Sequence, residues 1–393
     1  MKQQQVKLEF SLKEKERRYS LLREKLKKEG LDALIVSGCA LYGLGSPIHY
    51  LTQVWGSAEA GNALIFLVDG DPILLLPGTS GQPAARPNPW VPAANMYGSA
   101  NLGADLAKHI IRLKLQKSRI GIDSLDFWPV QQYKAFTELC PDVQLVEARQ
   151  MCSKIRAAKS NEELAFMEEA IRVQELAQRT FLSNLRSGLT ELEVVGKVES
   201  VMTANEVGKH QFIFQIVSRP EEGGIHGPGN SLIEKSIALS FSPEYAMRRG
   251  YACQAQRMYC WEEPKGEYKR LFSLCSEIRR MMLKELRPGA EVTKVGAKII
   301  ELISEWGFQP PPRSLGHAIG IAYGEDPYMT SAPNQARHEE WTISPNEVYV
   351  IHPSITAKSG EPMLAWFGDM YLIGEDSTKW MTPFLPGLPE IIP

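Results

Sequence analysis

The sequence predicts two domains, an α/β domain followed by a larger α+β domain that contains an internal repeat. The chain has 393 residues, which is more than one hydrophobic core usually serves. In its first part, amphipathic segments alternate with short apolar runs, as in a helix–strand α/β unit. In its second part, a helix–glycine turn–helix pattern occurs twice.

Local patterns predict the elements of the first domain. Tyr19, Leu22 and Leu26 recur at helical spacing, and Gly30 is expected to end that helix. The tripeptide Asp69-Gly70-Asp71 is typical of a hairpin turn. Strands are therefore expected at Ala33–Val36, Ala63–Leu67, Pro72–Leu76, Ile120–Ile122 and Val143–Val146.

A capping motif marks the start of the second domain. Ser160 followed by Glu163 has the spacing of a capping box. Leu164, Met167 and Ile171 then form one apolar stripe on a long helix. We therefore assign residues 1–155 to the first domain and residues 156–393 to the second.

The internal repeat has an offset of 287 − 186 = 101 residues, because the segment Arg186–Val194 resembles the segment Arg287–Val295. Each segment lies between two amphipathic helices and carries a glycine at its third position. Two similar halves that face each other would leave a cleft between two sheets, which is a favourable place for a ligand.

Composition excludes several classes of partner. Lys plus Arg is 44 and Asp plus Glu is 46, so the net charge of −2 favours neither nucleic acid nor an anionic membrane surface. The charged N-terminus has no signal sequence, and no apolar run is long enough to span a membrane. Six scattered cysteines without a C-x-x-C pair indicate reduced, buried thiols and a cytoplasmic protein.

Several motifs occur in an order that resembles a known superfamily. They are residues 16–38 with His49–Leu51, residues 155–164, Gly224–Asn230, Arg248–Arg257, Leu315–Gly320 and Val350–Pro353. Together they resemble the creatinases, aminopeptidases P and prolidases over nearly the whole chain. This resemblance implies a creatinase-like N-terminal domain, a pita-bread catalytic domain with a pseudo-twofold repeat, and a homodimer.

The resemblance also implies a test of the metal site. Metal-dependent members hold two divalent ions with Asp, Asp, His, Glu and Glu. The corresponding positions here are the segment 240–244, Gln254, His317, His352 and Gly368. Because a close pair of divalent ions needs several anionic oxygens, we expect neither the dinuclear site nor ordinary Xaa-Pro aminopeptidase activity.

Creatinase itself works without metal, and its proton-shuttling histidine corresponds to His226. Its guanidinium-binding carboxylates correspond to Gln256 and His352, so creatine is not an expected substrate. His226, His317 and His352 are the candidate catalytic residues, because imidazole can exchange a proton near neutral pH. One transition metal held by these three histidines is an alternative that the sequence leaves open.

The remaining candidates are residues that bind substrate or orient a histidine. The resemblance implies that the N-terminal domain of one subunit covers its partner's cleft. Tyr50 is therefore a further candidate for binding substrate, and His49 and Trp55 could reach the same neighbouring cleft. The candidate substrate-binding residues are Gln254, Gln256, Tyr251, Glu325, Asp369, Arg257 and Tyr50.

The sequence therefore predicts a small-molecule hydrolase or lyase of the creatinase type. It would cleave a C–N or similar bond by histidine acid–base chemistry, without cofactor. Two alternatives stay open at this point. One is a catalytically inactive pita-bread binding module, and the other is a mononuclear metalloenzyme.

Overall fold

The computed structural model describes residues 10–38, 46–54, 61–78, 90–123, 128–217, 224–235, 238–247, 250–310, 314–322, 324–330, 340–358 and 363–392, without the side chains of residues 46 and 209–215. The chain divides into two compact units, Met1–Arg156 and Ala157–Pro393. The sequence placed the division one residue earlier.

Helices alternate with strands in the first unit. In chain order, the elements are α1 (Leu12–Glu29), β1 (Ala33–Gly38), α2 (Ser46–Thr52), β2 (Asn62–Leu67), β3 (Ile73–Pro77), a 3₁₀ turn (Ala93–Asn95), β4 (Met96–Ser99), α3 (Leu102–Arg112), β5 (Arg119–Asp123), α4 (Val130–Leu139), β6 (Gln144–Glu147) and α5 (Arg149–Ala157). The strands form one mixed sheet in the order β4-β3-β2-β1-β5-β6.

The local signals of the first unit are confirmed. Helix α1 begins after Ser11, whose side chain accepts a hydrogen bond from the Glu14 N–H, and it ends at Gly30 with φ of 63°. The predicted stripe of Tyr19, Leu22 and Leu26 is buried. Strand β1 is buried along its whole length because it lies centrally in the sheet, antiparallel to β2 and parallel to β5.

The second unit begins with α6 (Asn161–Asn184). It continues with α7 (Glu191–Ala204), β7 (Val207–Val217), β8 (Leu239–Met247), β9 (Ala252–Cys253), β10 (Arg257–Cys260), α8 (Gly266–Glu285), α9 (Val292–Glu305), β11 (Phe308–Gln309), β12 (Ser314–Ala318), β13 (Glu325–Thr330), β14 (Val348–Ile351), β15 (Ser354–Ala357), β16 (Leu364–Trp366), β17 (Asp369–Ile373), β18 (Thr378–Trp380) and β19 (Glu390–Ile391). One sheet has the strand order β19-β10-β8-β7, and β9 also pairs with β8. A second sheet has the order β11-β15-β16, and a third has the order β13-β12-β14-β17-β18. The predicted capping box at Ser160 and Glu163 is confirmed.

The internal repeat is visible in the backbone at the predicted offset. Gly188 and Gly289, which lie in the turns before α7 and α9, have φ of 89° and 83°. Both conformations suit glycine, since they lie in the left-handed region. Glu206 and Gly307, again 101 residues apart, also have positive φ and precede β7 and β11. The two helix–turn–helix–strand halves are therefore alike, which confirms the pseudo-twofold repeat.

One large apolar cluster fills the second half of this unit. It includes Leu271, Ile278 and Met282 from α8, Val295 and Ile299 from α9, and Leu315, Met329 and Ile351 from the adjoining sheet. The five described cysteines are buried and form no disulfide with one another, as predicted, while Cys39 lies outside the described residues. Within the described part of the chain, no helix combines the length and the apolar character that crossing a membrane requires.

Candidate active site

Strand β8 presents two faces. Phe241 stacks on Phe181 of α6 at 4.0 Å between ring centroids, and the hydroxyl of Tyr245 donates to the Ala170 oxygen at 2.6 Å. Because side chains alternate along a strand, Ser242 and Glu244 face away from α6. This second face of β8 forms one wall of the candidate site.

Gln256 continues that wall after β9. The preceding residue, Ala255, is held toward α6, because its carbonyl oxygen accepts hydrogen bonds from the side chains of Gln174 and Gln178. The Gln256 side chain is fully buried and lies against Gly368, just before β17. A Cβ atom on Gly368 would overlap the amide oxygen of Gln256 and lie 2.7 Å from its Cδ. Gln256 thus occupies the space in which a side chain of residue 368 would lie.

Two histidines form the facing wall. His317 lies on β12, and His352 follows β14 with its N–H bonded to the Leu315 oxygen at 2.8 Å. Their ring centroids are 5.0 Å apart. A Cβ on Gly368 would also lie 2.9 Å from the Cβ of His352, so His352 and Gln256 meet at Gly368. The candidate site therefore joins β8 and β9 to the sheet of β12, β14 and β17.

Both of these histidines are neutral at physiological pH. Burial lowers the pKa of His317 to about 4 and that of His352 to about 3, from an ordinary value of 6.5. The Nδ1–H of His317 donates to the Ala318 oxygen at 2.9 Å, which fixes the ring tautomer. His317 also lowers the pKa of His352, since two adjacent cations would repel each other.

The carboxyl group of Glu244 is the acidic member of this wall. Burial raises the pKa of Glu244 to about 7 from an ordinary value of 4.5, although the Ser242 hydroxyl and the nearby Gln256 amide work against the rise. The Ser242 hydroxyl donates to Oε1 of Glu244 at 3.3 Å. Glu244 can therefore exchange a proton near neutral pH.

Substituting Glu244→Gln is expected to change how stability depends on pH. The raised pKa of Glu244 contributes stability that is fully present below pH 4.5 and is lost as the pH rises through about 7. The free energy of unfolding of the variant, relative to the wild type, should therefore increase by about 3 kcal/mol between pH 4.5 and pH 8. Urea unfolding at a series of pH values measures this difference.

The control is Glu262→Gln, which removes a charge from an exposed position. Its unfolding free energy should follow the wild type in parallel at every pH. Parallel curves for the Glu244→Gln variant as well would contradict the buried, easily protonated state of Glu244. The contribution of the neutral His317 and His352 to the free energy of unfolding is lost in the opposite direction, as the pH falls below 6.5. Both variants retain these histidines, so this loss is common to the curves that are compared.

The donor set does not suit a pair of divalent ions. Gln254 is neutral, Gly368 has no side chain, and Gln256 fills the space that a longer residue 368 would need. Among the described residues, no three or more His, Cys, Asp or Glu side chains are arranged to hold a metal ion. His226, His317 and His352 are thus not grouped as three ligands in the described part of the chain, and a mononuclear site at these residues stays a prediction.

His226 has a different environment from the other two histidines. It lies in the segment that pairs with β7 at Ile216, and its side chain is 44% exposed. Nδ1 donates to the Gly224 oxygen at 3.1 Å, and Nε2 lies 3.1 Å from Oε1 of Glu191. Because both ring nitrogens face oxygen acceptors, the ring is held in one orientation.

Sequence reasoning missed Glu191, the partner of His226. Glu191 is the first residue of α7, its side chain is fully buried, and its Oε2 accepts the Gly229 N–H at 2.8 Å. Thr190 and Glu193 form a capping box at this helix start. Acidic residues are common in such a first turn, so Glu191 did not stand out in the sequence as a site residue. The His226 ring and the Gly229 N–H thus give each oxygen of this buried carboxylate a partner.

Two other predicted residues, Tyr251 and Glu325, contact other side chains of the second unit. The Tyr251 hydroxyl donates to Oε1 of Glu163 at 2.7 Å, and Glu325 forms a buried ion pair with Lys159 at 3.1 Å. These contacts stabilise the second unit around α6 and β13. A direct contact of Tyr251 or Glu325 with substrate stays a prediction.

Arg257 and Asp369 belong to one buried charge cluster. Asp369 pairs with Arg257 at 3.2 Å and with Arg279 at 2.8 Å. Arg257 also donates to the backbone oxygens of Gln256 and Gly368, at 2.9 and 2.8 Å. Arg257 thus supports the backbone on both sides of the site, and its role toward substrate stays a prediction.

Tyr50 lies on α2 in the first unit and is buried. The Arg18 guanidinium lies 4.0 Å from the centroid of its ring, and its hydroxyl donates to the Ile155 oxygen at 3.2 Å. The side chain is therefore packed within the first unit. Its role at a partner's cleft stays a prediction, and Trp55 lies outside the described residues.

Family models match both parts of the chain. The model of metallopeptidase family M24 matches residues 165–375, and that of the creatinase/prolidase N-terminal domain matches residues 18–158. The chain belongs to metallopeptidase family M24. This membership confirms the two-domain, pita-bread fold class and places the chain among the hydrolases of the creatinase and M24 superfamily.

Individual relatives are distant. The chain is 22% identical to "Creatinase" of Bacillus sp. (strain B-0618), over 97% of this chain and 93% of that protein. It is 22% identical to "Putative dipeptidase YkvY" of Bacillus subtilis (strain 168), over 63% of this chain and 68% of that protein. The match to "Uncharacterized peptidase YqhT" of the same organism, also 22% identical, covers 57% of this chain and spans 62% of that protein's length.

Solved structures share the fold. The Xaa-Pro dipeptidase from Bacillus anthracis has a TM-score of 0.78 at 18% identity, covering 96% of this chain and 99% of that one. The prolidase from Pyrococcus horikoshii OT3 has a TM-score of 0.75 at 17% identity, covering 93% and 97%. At these identities the similarity concerns the fold alone.

Proposed function

We propose that this member of family M24 is a small-molecule hydrolase that cleaves a C–N or similar bond by histidine acid–base chemistry, without a pair of divalent ions. Family membership supports hydrolysis in general. The neutral donor set at Gln254, Gln256 and Gly368 supports a mechanism that does not depend on the family's paired metals.

The observation that carries the proposal is the pair of His226 and Glu191. Among the histidines whose side chains the structure describes, His226 combines exposure with a hydrogen bond to a buried carboxylate. A carboxylate that accepts from an imidazole orients the ring for proton transfer. His226 is thereby suited to act as a general acid.

In the proposed reaction, water adds to the carbon of the scissile bond and the C–N bond breaks. His226 donates the proton that the departing nitrogen requires, and the attacking water supplies the proton that restores the ring. The overall change is the addition of one water across the bond. The neutral pair His317 and His352 offers polar contacts to the substrate without adding charge.

The test is hydrolysis of a panel of N-acyl, N-carbamoyl and N-amidino amino acids, followed by the release of amine or ammonia. Replacing His226 with alanine is expected to lower kcat about 10²–10⁴-fold, because that is the usual contribution of a general acid or base. A chelator should leave wild-type turnover unchanged. His109→Ala is the matched control, since His109 is a partly buried histidine of the first unit packed on Tyr97.

Three results would contradict the proposal. Undiminished turnover in the His226→Ala variant would remove His226 from the chemistry. Turnover lost with chelator and restored by a divalent metal would instead indicate a metalloenzyme. Ligand binding without any turnover, unaffected by the His226 substitution, would indicate the inactive binding module.

A further inference from the structure

The candidate site contains buried polar atoms that lack hydrogen bonds. Among the described residues, both Nε2 and Oε1 of Gln256, Oε1 of Gln254 and Nε2 of His352 are buried without a partner. Gln256 is 0% exposed and Gln254 is 3% exposed. Most buried polar atoms in folded proteins are hydrogen-bonded, so unsatisfied ones that lie close together indicate groups kept for a ligand.

The residues that carry these atoms lie at Gly368 or on the segment that leads to it. The Gln256 amide and the His352 Cβ both lie against Gly368, one from each wall of the site. Gln254 precedes Gln256 by two residues on the same segment. Gly368 is necessary for this approach, because any side chain there would displace the Gln256 amide from its position.

The charged groups around them are already compensated. Asp369 is paired with Arg257 and Arg279, and Glu325 is paired with Lys159. The carboxyl group of Glu244 accepts a hydrogen bond from Ser242, and the Gln256 amide lies near enough to lower the pKa of that carboxyl group, although neither amide atom reaches hydrogen-bonding geometry with it. A ligand anion would therefore enter a buried site whose nearby cations are already paired, and a ligand cation would be balanced only if Glu244 lost its proton.

The free atoms define a pattern of donors and acceptors. Gln256 Oε1, Gln254 Oε1 and His352 Nε2 can accept hydrogen bonds, while Gln256 Nε2 donates. A group that carries an N–H₂ and a C=O on one carbon satisfies both kinds. A guanidinium only donates and offers no acceptor to Gln256 Nε2, whereas a carboxylate only accepts.

We propose that this site recognises its substrate through an uncharged planar group of the ureide or primary carboxamide class, with Gln256 as the residue that determines specificity. The Gln256 amide would pair with this group through two parallel hydrogen bonds. This assignment deepens the proposed hydrolase function and rests on it only for the catalytic step, because recognition is measured by binding alone.

The experiment compares two isosteric probes, N-carbamoylsarcosine and creatine, which differ in a C=O against a C=NH₂⁺. Isothermal titration on the full-length wild-type protein is expected to show at least about tenfold tighter binding of the carbamoyl compound. Gln256→Glu replaces the amide with an isosteric carboxylate and should reverse this preference. Gln131→Glu, an exposed residue on α4, introduces the same charge and should change nothing.

A second variant keeps the test valid if the Gln256→Glu protein, with its buried carboxylate, fails to fold. Gln256→Leu removes both unsatisfied atoms, so its thermal midpoint should equal or exceed that of the wild type. The same variant should bind the carbamoyl probe at least about tenfold more weakly. A glutamine kept only for packing would show the opposite combination, with lower stability and unchanged affinity.

Glu244→Gln separates the amide from the neighbouring carboxyl group. It should keep the preference for the carbamoyl probe, because Gln256 is unchanged. A preference that disappears in this variant would assign specificity to Glu244 and overturn the proposal.

Other outcomes also decide the matter. Equal or tighter wild-type binding of creatine would overturn the proposal, as would failure of the carbamoyl probe to bind up to its solubility limit. Carbamoyl binding without hydrolysis of any substrate would support this inference and contradict the hydrolase function. Hydrolysis of a cationic amidino substrate would support the hydrolase function and contradict this inference.

Discussion

Replacing Asp369 with alanine is expected to destabilise the second unit by about 3–5 kcal/mol, because the substitution leaves two buried arginines without their anion. The Asp369 carboxylate is 0% exposed and pairs with Arg257, which is also 0% exposed, and with Arg279. Trp380 Nε1 and Thr382 Oγ1 donate to the same carboxylate, at 2.9 and 3.1 Å. One side chain thus organises β17, β18, β10 and α8.

The expected loss can be measured by chemical unfolding, with hydrogen-exchange mass spectrometry to locate it. Peptides of β10, α8 and β17 should lose protection together, while those of the first unit should not change. Glu267→Ala is the control, because Glu267 forms an ion pair with Arg270 in which both side chains are about half exposed. Such a pair is worth less than about 1 kcal/mol. An Asp369→Ala variant no less stable than this control would contradict the role of the buried cluster.

The second large effect concerns Gly103 in α3, where substitution by alanine is expected to cost about 3 kcal/mol in the first unit. A Cβ at this position would overlap the backbone oxygen of Gln132 in α4 and lie 2.7 Å from its carbonyl carbon. Backbone atoms cannot move aside as a flexible side chain can. Helices α3 and α4 would therefore have to separate, which would open the core around Leu106 and Phe136.

Gly196→Ala is the matched control for this prediction. Gly196 lies inside α7, and a Cβ there meets no atom of the described chain within 4 Å. Alanine is a better helix former than glycine, so this variant should be about 0.5–1 kcal/mol more stable than the wild type. The same substitution thus has opposite signs in two helices. Equal effects in unfolding experiments would show that the close approach of α3 and α4 does not matter.

Local chemistry made many elements predictable from the sequence. Ser160 and Glu163 mark a helix start because their side chains bond the first free N–H groups of that helix. Gly188 and Gly289 mark turns because each adopts a positive φ. Such signals depend on residues a few positions apart, which is why they were read correctly.

The candidate site was only partly predictable. The sequence identified His317, His352 and Gln256 through motif order, and the structure places Gln256 and His352 at Gly368 with His317 beside His352. It also left open a metal site of three histidines, and the described residues show no such grouping, so that alternative stays a prediction. Glu191 was missed, because its partner His226 lies 35 residues away and no local pattern links them.

By itself, the sequence determined several of the helices and strands, the repeat and the resemblance to a family, because these depend on periodicity, turn residues and motifs carried along the chain. Only the tertiary structure decided the chemical state of the site. The neutral charge of His317 and His352 and the unsatisfied amide of Gln256 result from burial among residues distant in sequence. Burial sets the free energy of a charge or a polar atom, and it exists only once the chain has folded.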